Sequence, residues 1–111
     1  MKTLKFIITI VLSVVFAVNS YSQSKTDSFK VYGNCSSCKA RIEKAAMLDG
    51  VSKATWNVDT KVLSLVYNPT KVNSDDILKK IAAAGHDNEK FRATDKAYQS
   101  LPGCCQYERK K

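Results

Sequence analysis

The apolar pattern between Ser28 and Ala93 predicts an α+β chain with the ferredoxin-like βαββαβ architecture: a four-stranded antiparallel sheet with two helices on one face, followed by a short C-terminal tail. Three observations carry this expectation. Short alternating runs read as strands, two runs of helix formers carry apolar residues at three-to-four spacing, and the runs follow one another as strand, helix, strand, strand, helix, strand.

Ser28 to Tyr32 alternates, with Phe29 and Val31 on one face and Lys30 and Tyr32 on the other, and Gly33 and Asn34 end it. Cys35-Ser36-Ser37-Cys38 follows as a loop. Lys39 to Leu48 is rich in helix formers, with Ile42, Ala45 and Ala46 on one stripe, and Asp49-Gly50 stops it. A hairpin comes next. Ala54, Trp56 and Val58 alternate with polar neighbours, Asp59 and Thr60 turn the chain, and Leu63, Leu65 and Tyr67 alternate with Val62, Ser64 and Val66. After Asn68-Pro69, either Asn73 or Ser74 caps a second helix, with Asp75 and Asp76 in its first turn and Ile77, Ile81 and Ala84 as its apolar stripe. Gly85 ends it. Asn88 to Ala93, centred on Phe91, is expected to add the fourth strand, and Thr94 to cap a short helix from Asp95 to Leu101.

Residues 1–22 are expected to be a secretory signal peptide. Lys2 and Lys5 precede an apolar run from Phe6 to Val18 that is short for a membrane span of about 20 residues. Ser20 and Ser22 place cleavage before Gln23, or after Ser20, and an uncleaved anchor is the plainer alternative. The expected product is secreted or periplasmic, with a loose leader at 23–27, the domain at 28–93 and the Cys-containing tail at 94–111. The chain has 18 Lys and Arg against 10 Asp and Glu, a net +8. These charges are interleaved along the chain without a basic, aromatic-bearing run, so they read as a solvated surface, with no nucleic-acid partner and no membrane after cleavage. A domain of this size has a modest core, and a monomer is expected.

The chemistry of the chain is thiol chemistry, since no nucleophile–base set and no phosphate loop occurs elsewhere. Cys35 and Cys38 can hold one soft ion or form one disulfide. Helix N-terminal dipoles favour their thiolates. Cys104 and Cys105 form a second close pair, and bridging adjacent cysteines to each other would close a strained eight-membered ring. Ligation, or pairing with other thiols, explains them better. They are expected to join or cover the first pair, to form a second soft-metal site, or to remain reactive thiols on a flexible tail. In a βαββαβ sandwich the loops after the first strand and the second helix share one end, which brings His86, the single histidine, near Cys35 and Cys38.

From about Asp27 to Ala93 the chain resembles the heavy-metal-associated domain family. The residues that carry the resemblance are Cys35-Ser36-Ser37-Cys38 before a helix, Asp49-Gly50-Val51, Val66-Tyr67-Asn68-Pro69 and Ala84-Gly85-His86-Asp87. The resemblance implies a copper-chaperone-like or mercury-binding-like carrier, with Cys35 and Cys38 as metal ligands and His86 as a third ligand or an exposed loop residue. Cys104 and Cys105 are further candidate ligands from the tail. Cu(I) is the expected ion, with Hg(II), Zn(II) and Cd(II) as alternatives. A metal-pumping ATPase or another metal-binding protein is the expected partner. In the family a Gly-Met pair usually precedes the cysteines by one residue, and here Tyr32 and Gly33 stand in those positions, so the Met that packs beneath the metal loop is missing. Two other classes stay open. One is a thiol–disulfide oxidoreductase, although no Trp or Pro enters the Cys-Ser-Ser-Cys and neither Pro69 nor Pro102 is placed to face it. The other is a small structural domain with Cys35 and Cys38 oxidised.

Overall fold

The computed structural model describes residues 24–109; the expected signal peptide lies outside them. Among the described residues three strands form one antiparallel sheet in the order β1-β3-β2, with β1 at Lys25–Lys30, β2 at Val51–Trp56 and β3 at Val62–Tyr67. Two helices, α1 at Ser36–Ala46 and α2 at Ser74–Ala83, supply the other layer. Ile42 and Ala46 of α1 and Ile77, Leu78 and Ile81 of α2 pack into one core with Trp56, Leu63, Leu65 and Tyr67 of the sheet.

The hairpin follows the alternation in the sequence, because Leu63, Leu65 and Tyr67 are buried while Ser64 between them is exposed. A register shift between Val51 and Lys53 breaks the period in β2, so that Val51 and Trp56 are buried at its two ends. Asn73 caps α2, its side-chain oxygen accepting the Asp76 N–H at 2.8 Å.

Three expectations need correction. The first strand begins at Lys25, inside the expected leader. Lys25, Thr26 and Asp27 pair with Tyr67, Val66 and Leu65, and the Tyr67 hydroxyl donates to the Asp27 carboxylate at 2.5 Å. The first helix begins at Ser36, so Ser36, Ser37 and Cys38 form its first turn and are not loop. Cys35 is the extended cap residue, and its carbonyl accepts the Lys39 N–H at 3.0 Å.

The expected fourth strand, Asn88 to Ala93, is reduced to a single bridge between Val31 and Asn88. Backbone bonds from Tyr32 N–H to the Asp87 carbonyl and from Glu89 N–H to the Lys30 carbonyl flank that bridge. The Glu89 carboxylate then takes the Lys30 N–H at 2.7 Å, and Asn88 Oδ1 accepts the N–H groups of Lys90 and Phe91. A side chain thus replaces the next ladder bond, and an Asn-centred turn bends the chain away.

Beyond this turn Thr94 caps α3, Asp95–Gln99, which is shorter than expected, and after Pro102 a 3-10 turn spans Gly103–Cys105. Leu101, Cys105 and Tyr107 are buried in the main core, so the tail is part of the fold. Among the described residues no helix is long and apolar enough to cross a membrane.

Candidate metal centre

Helix α1 sets the first two thiols. Cys38 lies in its first turn on the same stripe as Ile42 and Ala46 and is fully buried, whereas Cys35 at the cap is partly exposed. Their sulfurs stand 3.8 Å apart, and the Asn34 N–H points to the Cys38 Sγ at 3.3 Å. The Cys35 thiol is lowered to about 7, chiefly by the backbone N–H groups of Cys38 and Ser37, which stabilise a thiolate at the helix start.

Cys105 reaches the same point from the tail. Its sulfur is fully buried, and the Sγ atoms of Cys35, Cys38 and Cys105 all lie within 4.8 Å of one another. Burial, with Cys38 and Cys104 adding to it, pushes its thiol up to about 12. Cys104 is exposed and stands outside this triangle, its Sγ 3.9 Å from that of Cys105. Its backbone contributes instead: the Cys104 carbonyl accepts from the Cys35 thiol and from Asn34 Nδ2, both at 3.5 Å.

His86 sits at the same end of the fold but outside the thiol triangle. It is fully buried, neither exposed nor on an open loop. Its Nδ1 is 2.8 Å from the Tyr32 carbonyl, which can only accept, so Nδ1 carries the proton. Burial lowers its pKa, against the opposing bond to Tyr32, and keeps the ring neutral. Nε2 has no hydrogen-bond partner among the described residues. The imidazole stacks on Tyr107 with centroids 5.6 Å apart and pins the Tyr32 end of the segment that leads into the cysteines.

The tail is held by residues that the reading of the sequence passed over. The Tyr107 hydroxyl donates to the Gly85 carbonyl at 2.8 Å and accepts the Asp87 N–H at 2.6 Å. Arg109 binds both oxygens of Asp87, Asp95 and the Ala93 carbonyl. A signal was present: Cys105, Tyr107 and Arg109 alternate with Gln106 and Glu108, the period of a chain with one buried face.

Gly33 explains how the core closes without a Met in that position. A Cβ there would lie 3.1 Å from Cys38 Cβ, 3.1 Å from Trp56 Cη2 and 3.2 Å from Ile42 Cδ1. The Trp56 ring fills the space beneath the metal loop, fixed by its Nε1–H to the Val31 carbonyl at 3.0 Å.

A two-layer α+β sandwich that presents paired thiols at a helix start defines a soft-ion-binding module. The family model described as "Heavy-metal-associated domain" matches residues 30–87, just over half of the chain, and the chain belongs to this family. It is 38% identical over 66 residues to a copper-exporting P-type ATPase of Staphylococcus saprophyticus, a match covering 58% of this chain and 8% of the ATPase. It is 39% identical over 67 residues to a zinc-transporting ATPase of Synechocystis sp., covering 59% of this chain and 9% of that protein. The matched stretch is therefore under a tenth of either ATPase. Among solved structures, a CopZ metallochaperone aligns with a TM-score of 0.56 and 29% identity, over 58% of this chain and 98% of its own.

Proposed function

We propose that this chain is an exported carrier, secreted or periplasmic, that binds one thiophilic ion through Cys35 and Cys38 and hands it on or sequesters it. The observation that carries the reading is the Cys35–Cys38 pair, with sulfurs 3.8 Å apart at the start of a helix in a heavy-metal-associated domain. Two soft thiolates suit a soft d10 ion, and Cu(I) fits first, with Hg(II), Zn(II) and Cd(II) as alternatives. Ligand exchange with the thiols of a second protein moves the ion, and the likeness to ATPase segments supports a metal-pumping ATPase or another metal-binding protein as that second protein. The carrier works as a monomer, without nucleic acid or membrane.

The test is anaerobic titration of the reduced mature protein with Cu(I) against a chromophoric chelator. One equivalent bound tightly, and lost in Cys35→Ser, is the expected result. Weak binding combined with catalysed reduction of insulin disulfides would replace the carrier by an oxidoreductase.

A further inference from the structure

We infer that Cys105 is a third metal ligand, so that the ion is held by three thiolates, Cys35, Cys38 and Cys105, one of them delivered by the C-terminal tail. The inference rests on the carrier reading above and deepens it. Cys105 lies outside the segment that matches the family, 18 residues beyond its end.

Geometry supports a three-sulfur site directly. With metal–sulfur bonds of about 2.3 Å, a planar three-sulfur site has its sulfurs about 4.0 Å apart. The observed triangle has one edge of 3.8 Å and no edge longer than 4.8 Å, so it closes on one ion with sub-ångström adjustment.

The tail is also built to place that sulfur. The Cys105 N–H donates to the Pro102 carbonyl at 2.8 Å, which fixes the 3-10 turn. On one side of the turn Leu101 packs against Gly85, where a Cβ would meet Leu101 carbons and the Ala97 carbonyl at 2.9 Å. On the other side Tyr107 and Arg109 tie the chain to Gly85 and Asp87. Cys105 is therefore clamped from both directions. The Cys104 carbonyl, in contact with the Cys35 thiol, roofs the same site, while the Cys104 sulfur touches that of Cys105 from outside the triangle.

A third thiolate changes what the site does. Two thiolates leave a soft ion open to an incoming thiol, whereas three surround it in the plane and leave approach only from above or below. The ions selected are those that accept three-coordinate sulfur, Cu(I) and Hg(II) foremost, and the balance shifts from rapid passage towards holding.

The experiment is X-ray absorption on the full mature chain loaded with one equivalent of Cu(I), free of small thiols, together with chelator competition. Wild type should show three sulfur neighbours. Cys105→Ser should show two, with affinity lower by at least the roughly 10–100-fold that loss of an outer-sphere partner alone costs. Cys104→Ser should keep three. Two sulfurs in wild type, or three retained in Cys105→Ser, would overturn the inference while leaving the Cys35–Cys38 carrier intact. The wild-type spectrum decides even if Cys105→Ser fails to fold. Full binding by Cys35→Ser would instead overturn the carrier reading itself.

Discussion

Arg109 grips Asp87 with two parallel hydrogen bonds, Nε to Oδ2 and Nη2 to Oδ1, both 2.9 Å long, and so ties the end of the tail to the residue after His86. Both side chains are about nine-tenths buried. Arg109→Ala strips a buried carboxylate of its two guanidinium bonds, leaving it the Ala93 N–H and the charge of Arg92, and should cost about 2–3 kcal/mol of stability, read as a lower midpoint in denaturant.

The same pair sets an acid limit. Burial alone would raise the Asp87 carboxyl, but the Arg109 and Ala93 bonds outweigh it and hold the group below the usual carboxylate range. A depressed carboxyl stabilises the fold fully above its unfolded value of about 3.9 and loses that contribution as pH falls through the folded value. Stability measured at pH 7 and pH 5 should therefore show no contribution from this group to any difference, with the loss falling below about pH 4. In Arg109→Ala burial is opposed by fewer partners, so the folded value rises towards the unfolded one and this acid-side loss should shrink; an unchanged loss would show that the pair does not matter.

Cys35 and Cys105 should differ sharply as nucleophiles in the reduced, metal-free protein. With Cys35 lowered to about 7 and Cys105 pushed up to about 12, alkylation followed by mass spectrometry should modify Cys35 with a rate midpoint near pH 7 and leave Cys105 unmodified. Cys105 reacting ahead of Cys35 would mean that the tail is not docked.

Restoring the family residue at Gly33 should harm this protein. In Gly33→Met the new side chain meets Cys38, Trp56 and Ile42 at 3.1–3.2 Å from its first carbon, and overpacking of this kind costs about 1–3 kcal/mol. Shortening the ring in Trp56→Leu should relieve it, so a double-mutant cycle should show the pair coupled. Simple additivity would mean that Trp56 does not occupy the space of the missing Met.

The sheet and helices were legible wherever local rules decide. Leu63, Leu65 and Tyr67 alternate cleanly, and Asn73 and Thr94 cap the helices they precede. What failed depends mostly on contacts distant in sequence, with one local turn at Asn88. Asn88 to Phe91 has the composition of a strand, but the Asn88 amide turns it and Glu89 takes the edge amide of Lys30. His86 follows a helix-ending glycine, a pattern that reads as exposed, yet Tyr107 covers it. Cys35 and Cys38 are visible as a pair from spacing alone. That Cys105 and not Cys104 faces them follows from the turn after Pro102, and the one local hint is the alternation of Cys105, Tyr107 and Arg109 with Gln106 and Glu108.

Cys105 joins its neighbours across 67 residues of chain from Cys38, a contact of high sequence separation that closes a large loop. Closing that loop costs chain entropy, and a chain whose tail is undocked would present Cys35 and Cys38 without the third thiol. The docked tail is thus what separates an open pair of thiols from a closed triangle of three.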